Sequence, residues 1–320
     1  MLKGLRNILR KLFRVDMWTI GIAYQPIHAF LDPKSSPRIY WLPMKRKDIF
    51  AADPFGAVVD GRLCILCEKF DFRKDKGIIA APEFDSRSLL PGFYAVLDFP
   101  SHISYPYLIE HEGNHYMIPE TSADMEVALF KAERFPNRWE KAGVLIEGVA
   151  AVDSTVFKYN GRWWMMFTDG ASGPNNLLHI WHAPDLLGPW EAHAANPVKD
   201  DIFSSRPGGT PFEYDGALYR PAQDCSRTYG GAIVLNRVLT LTPTEFAEEK
   251  ATVIRPQKDS PCPDGLHTLS SVGGITLIDG KRCQFNSIAL KVALIQKAAS
   301  LINGRRRAGQ STVSAHPANG

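Results

Sequence analysis

The sequence predicts an all-β fold, a five-bladed β-propeller with short helices at its N- and C-terminal ends. Three observations carry that prediction. A hairpin unit recurs five times, its copies are evenly spaced, and no long helical pattern falls between residues 17 and 285. Aligned on the turn glycine, four copies read "DPFGAVVDGRLCILCE", "YPYLIEHEGNHYMIPE", "DSTVFKYNGRWWMMFT" and "GGTPFEYDGALYRPAQ". Each is a short apolar strand, a turn of the Asp-Gly or Asn-Gly kind, and a second, aromatic-rich strand. Such turns demand residues that tolerate positive φ, which is why the pattern encodes a hairpin. The turn glycines are Gly61, Gly113, Gly161 and Gly216, with Gly273 or Gly274 in a weaker copy, "HTLSSVGGITLIDGKR". Intervals of 52, 48, 55 and roughly 58 residues leave room for two further strands per unit, such as "MEVALFKAERFP" and "LLHIWHAPD". Four strands per unit and five units make a propeller. The alternative is an ordinary β-sandwich, which would not explain this period.

In chain order, residues 1–16 form a basic segment. Leu2, Leu5, Ile8, Leu9 and Leu12 recur at helical spacing among Lys3, Arg6, Arg10, Lys11 and Arg14. Such a helix packs on the domain or a partner, or makes a peripheral membrane contact through residues 1–14. The propeller is expected over 17–285, with "MWTIGIAYQP" supplying an outer strand to the last blade and so closing the ring. A closing helix is expected over 286–303 and a disordered tail over 304–320.

Composition narrows the function. Net charge is +3, with 22% charged residues, so no concentrated basic field marks a nucleic-acid surface. No run reaches the roughly 18 to 20 apolar residues that span a bilayer. Five cysteines form no disulfide pattern, and the Cys64/Cys67 pair lies in a strand-like run, so buried free thiols are expected. That points to a reducing, cytoplasmic compartment. No phosphate loop, dinucleotide fingerprint or metal cluster is present, and no cofactor is expected.

The repeat locates the chemistry. First strands line the channel of a propeller, so residues heading them face one mouth. Asp53 and Asp153 each stand eight residues before their turn glycine; Glu68, Glu120, Thr168 and Gln223 each stand seven after it. Two or three carboxylates around one pocket are the minimum for glycoside cleavage, one as acid and one as base or nucleophile. Asp53, Glu120 and Asp153 are therefore the catalytic candidates. Around them Glu68, His102, Tyr105, Arg206, Gln223, Asp224 and His267 are candidates for substrate binding. Arg206 offers a fork of donors, and Gln223 and Asp224 offer groups that pair with sugar hydroxyls. Trp163, Trp164 and Trp190 fit a core role better than a sugar platform.

"ADPF" and "VDSTVF" resemble the acidic signatures of five-bladed glycosidases of glycoside hydrolase families 43 and 32. "HISYPYLIEHEGNHYMIPETS", "LLGPWEAHAANPV" and "GGTPFEYDGALYRPAQDCSRTYGGAI" resemble the N-terminal domain of plant glucosamine inositolphosphorylceramide transferases and its bacterial stand-alone relatives, over about residues 48–285. The resemblance implies a family-43-like propeller, with Asp53 as base or nucleophile and Asp153 tuning its neighbours. In the plant proteins it implies a transferase activity seated in a separate C-terminal domain. Family 43 carries its general acid in an "EGP"-like run, which is absent here; Glu120 in "MIPETS" takes that place.

The expectation is thus a carbohydrate-active propeller, glycoside hydrolase-like, cleaving or transferring a glycosyl unit from a carbohydrate or glycolipid substrate. The alternative is a non-catalytic glycan-binding or scaffolding propeller. A protein-interaction propeller would instead fill its mouth with apolar side chains.

Overall fold

The structure, a computed structural model, describes residues 14–35, 37–43, 46–83, 92–292 and 294–295. Five antiparallel sheets radiate around one axis. The chain starts in the last of them: β1 (Arg14–Ala23) and β2 (Tyr40–Trp41) form its outer half. Blade one is β3 (Ile49–Val59), β4 (Arg62–Asp71), β5 (Lys76–Glu83) and β6 (Gly92–Leu97). Blade two is β7 (Ser104–His111), β8 (Asn114–Glu120), β9 (Glu126–Arg134) and β10 (Arg138–Glu147). Blade three is β11 (Ala151–Tyr159), β12 (Arg162–Asp169), β13 (Leu177–Ala183) and β14 (Glu191–Ala192), with β15 (Lys199–Asp200) also pairing β13. Blade four is β16 (Phe212–Tyr214), β17 (Ala217–Asp224), β18 (Ala232–Leu241) and β19 (Phe246–Ile254). β20 (Leu269–Val272) and β21 (Ile275–Phe285) complete blade five.

Closure runs through β1, which pairs with β21 from Arg14↔Phe285 to Ala23↔Thr276. The N-terminal strand therefore sits third from the axis, and it begins at Arg14, before the boundary expected at residue 17. The remainder of the N-terminal segment lies outside the described residues, as do residue 293, residues 296–303 of the expected closing helix and the expected tail. Residues 287–292 and 294–295 are helical. Among the described residues no helix is long and apolar enough to cross a membrane.

The hairpin turns follow from their residues. Asp60-Gly61, Glu112-Gly113, Asn160-Gly161 and Asp215-Gly216 all have φ between 49° and 74°, the two-residue turn whose twist matches the strands it joins. The core is divided rather than central. Each of the five blade interfaces holds its own apolar cluster, such as Leu66, Ile79, Met117 and Phe130 between blades one and two. Trp164, Met166, Ile180, Leu218 and Leu241 fill the wedge between blades three and four. Trp163 and Trp164 are core residues, 5% and 2% exposed. The five cysteines are free; burial pushes the Cys67 thiol up, consistent with an inert side chain in a strand.

Candidate functional site

The site begins with a backbone feature. Asp53, Tyr105 and Asp153 occupy one position in blades one, two and three, and all three are left-handed, with φ of 50°, 45° and 54°. At each the register to the second strand shifts, between Ala52 and Phe55, Ser104 and Tyr107, and Val152 and Thr155. A left-handed bulge breaks strand alternation and re-aims one side chain toward the axis. Left-handed geometry favours Asp and Asn but not Tyr, so Tyr105 is held there by its surroundings. In blade four the chain passes through Gly209, at φ 128°, where a Cβ would meet the Leu269 carbonyl of blade five at 1.9 Å.

Asp53 is 4% exposed. Its Oδ1 accepts the Thr268 hydroxyl at 2.7 Å and lies 3.5 Å from His267 Nε2. Its own amide donates to Asp279 Oδ2 at 2.9 Å. Asp279, fully buried, also accepts the amides of His267 and Thr268 and lies 2.5 Å from His267 Nδ1. Burial, reinforced by Asp279 and Asp153 against the pull of His267, raises the Asp53 carboxyl to about 6. Burial works against a charged His267, but Asp279 and Asp53 outweigh it and its pKa rises. Trp18 stacks on the imidazole with ring centres 3.9 Å apart.

Across the mouth the same motif recurs. Glu120 ends β8, and its Oε2 accepts the amide of Asp153 in the next blade at 3.3 Å, as Asp279 does for Asp53. Its Oε1 accepts the Ser122 hydroxyl at 2.7 Å. Burial, then the charge of Asp153, lifts Glu120 to about 7 against the opposing Arg206. Asp153 Oδ2 is held by Arg206 Nε at 2.6 Å and by Gln223 Nε2 at 2.7 Å. The Arg206 guanidinium continues to Asn175 Oδ1 at 3.0 Å and lies 4.8 Å under the Tyr229 ring.

Glu68 stands 6% exposed at the end of the first-blade hairpin. Burial, then Asp53 and Glu120, raises its pKa well above the carboxylate range. Its Oε1 lies 3.4 Å from His102 Nε2. The amide of Gly77 donates to His102 Nδ1 at 3.0 Å, so the neutral ring carries its proton on Nε2, facing Glu68. Burial lowers the His102 pKa and keeps it neutral.

Asp53, Glu68, Glu120, Asp153, Arg206 and His267 are thus one electrostatically coupled group. The three other candidates make different contacts. Tyr105 is fully buried, its hydroxyl paired with Thr155 Oγ1 and the Gly209 amide, both at 2.8 Å, so it braces the axis beneath the mouth. Gln223, also fully buried, spends its amide on Asp153 and the Pro207 carbonyl and is a positioning residue. Asp224 binds Ser226 and lines a neighbouring groove. Tyr105 and Gln223 thus make bracing contacts, and Asp224 lies beside the neighbouring groove. Trp18, Asn175, Tyr229, Thr268 and Asp279 were not evident from the repeat. Lys281 stands seven residues after Gly274, the blade-five copy of the Glu68 position, and is bound to Asp16 at 2.9 Å and Thr228 at 3.0 Å. Choosing Gly274 as the turn glycine would have found it. Asp53, His267 and Asp279 present donor atoms within 4.8 Å of one another, a set that can hold a cation.

Residues 44–267 match the family described as glucosamine inositolphosphorylceramide transferase 1, N-terminal, and the chain belongs to that family. Among curated proteins it is 36% identical over 205 residues to glucosamine inositolphosphorylceramide transferase 1 of Oryza sativa subsp. japonica, covering 62% of this chain and 27% of that protein. The Arabidopsis thaliana protein of the same name is 30% identical over 273 residues, covering 79% and 35%. The chain therefore spans about a third or less of the relatives it matches. Among solved structures, a family 117 glycoside hydrolase from the marine bacterium Zobellia galactanivorans aligns with a TM-score of 0.52 at 14% identity, covering 87% of this chain and 92% of that one. An exo-β-1,3-galactanase from Phanerochaete chrysosporium aligns at 0.51 and 8% identity, covering 69% and 58%. These two likenesses establish the propeller fold.

Proposed function

We propose that the mouth binds a glycosyl unit of a carbohydrate or glycolipid and cleaves or transfers it, in the manner of a glycoside hydrolase. The observation that carries this reading is two carboxyls, Asp53 and Glu120, that both lie within reach of the charge of Asp153. Burial and the charge of Asp153 lift the two carboxyls to about 6 and about 7. Near neutral pH the first is mostly ionised and suits a base or nucleophile. The second is half protonated and partly exposed, and suits a general acid. Asp153 is clamped by Arg206 and Gln223 and orients the pair. The names of the plant relatives support a glycosylated inositolphosphorylceramide headgroup as the substrate class.

The test is turnover of a panel of furanosides and pyranosides by the wild type, Asp53→Asn and Glu120→Gln. Asp53→Asn is expected to lower kcat by about 100-fold or more, as loss of a positioned acid or base does. Turnover that survives Asp53→Asn would remove the residue from the mechanism.

A second reading, glycan binding without cleavage, is favoured by one fact. Both backbone amides beneath the Asp residues are sealed by carboxylates, Asp279 and Glu120, which is also how a rigid binding surface is built. Saturable sugar binding with no turnover across the panel selects it.

A further inference from the structure

Next to the carboxylate mouth lies a second concavity of 740 Å³, walled by the linker entering blade four, the loop after β17, the face of β18 and β19, and the linker leaving for blade five. One loop separates the two sites. Tyr229 covers Arg206 in the mouth, whereas Arg227 and Thr228 line the groove.

Its charges are unevenly committed. Asp201 is engaged by Lys199 and the Phe203 amide, and Glu248 by Lys199 and Arg220. Asp224 is engaged by Ser226, and Asp264 by the Cys283 amide. By contrast the side chains of Arg227, Lys250, Arg255 and Lys258, which line the same groove, have no hydrogen bond or ion pair among the described residues. An independent feature points the same way. Asn236 is 1% exposed, lines the groove, and its amide nitrogen has no partner among the described residues. Buried donors are almost always paired, so an orphan in a cavity wall invites an acceptor. The ladder places Arg220, Asn236 and Lys250 on one rung across β17, β18 and β19, so they share one face of the blade.

We propose that this groove binds a phosphoryl group, with Lys250 and Arg255 supplying charge and Asn236 a neutral donor. Four uncommitted cations exceed what one carboxylate needs and suit a group carrying about two negative charges and three acceptor oxygens. A soluble phosphate monoester and the phosphomonoester headgroup of phosphatidic acid share that chemistry. The site rests on the groove alone and not on the glycan reading.

The full chain is titrated calorimetrically with inorganic phosphate at low salt. In parallel it is floated with phosphatidylcholine vesicles, with or without phosphatidic acid. Both measurements are repeated for the double variant Lys250→Gln, Arg255→Gln, whose exposed sites leave the fold intact, checked by an unchanged Tm without phosphate. Phosphate binding is expected to weaken about tenfold or more in the double variant and to fade with salt. It should be unchanged in Asp53→Asn, which separates it from the carboxylate mouth. Binding of phosphate without flotation supports a soluble ester. Flotation that needs phosphatidic acid and is lost in the double variant supports a lipid headgroup. Binding by neither route, or binding that the double variant retains at wild-type strength, overturns the proposal.

Discussion

Tyr105 shows how a single residue can be decisive without touching a ligand. Its position in the repeat is that of Asp53 and Asp153, yet its ring runs inward against Phe55 and Tyr107 and its hydroxyl ties blade two to blades three and four. Tyr105→Phe keeps the packing but strands the Gly209 amide in a buried site. The expected cost is about 1–3 kcal/mol, read as a lower urea midpoint at constant m. A variant as stable as wild type would mean that the hydroxyl is not a brace. The glycine beside it is equally constrained. At Gly209 any side chain would enter the Leu269 carbonyl, so Gly209→Ala is expected to fail to accumulate as folded protein, or to melt far lower.

At the scale of the element, much was legible because the hairpin turns are coded locally. The Asp-Gly and Asn-Gly turns fix the register, and register fixes which residues share a position in each blade. Asp53, Asp153, Glu68 and Glu120 were singled out by that count alone, and the structure sets these acids close to one another. Equal register gives equal starting points but not equal contacts, as Tyr105 at the position of Asp53 and Gln223 at the position of Glu120 show. At the bulge the tyrosine meets Thr155 and Gly209, whereas the aspartates meet Thr268 and Arg206. Asp279, Thr268 and Trp18 were not legible. Asp279 and Thr268 meet Asp53 across the junction of blades five and one, and Trp18 reaches His267 through the pairing of residues 14–23 with β21, contacts set by closure of the whole ring. Deleting residues 1–23 removes that third strand of blade five. The expected result is loss of the cooperative thermal transition; a chain that still melts cooperatively near the wild-type temperature would show the ring closing without it.

For the whole molecule the consequence is a pH dependence that net charge does not suggest. A carboxyl whose folded pKa exceeds its unfolded value binds more protons folded than unfolded, so its stabilising contribution is present at low pH and lost as pH rises through the folded value. Asp53, raised from 3.8 to about 6, and Glu120, raised from 4.5 to about 7, place that loss between about pH 4 and pH 7. Glu68 adds to it, and His267, whose pKa is also raised, loses its contribution in the same direction. Opposing groups act elsewhere. Asp48, lowered from 3.8 to about 2 chiefly by its Arg46 bond, loses its contribution only below about pH 4. Stability is therefore expected to peak near pH 5 and to decline toward pH 8, measured as urea midpoints across a pH series. Glu120→Gln keeps the shape of the side chain but cannot ionise. It should flatten that decline and leave the protein about 1–2 kcal/mol more stable than wild type at pH 8, with little difference at pH 4.5. The same substitution removes the acid proposed for catalysis, so a gain in stability coupled to a loss of turnover would identify Glu120 as a group held at a cost to the fold for its chemistry. A wild-type curve that rises from pH 5 to pH 8 would show instead that the carboxyl cluster is ionised without penalty and does not hold the proton this mechanism requires.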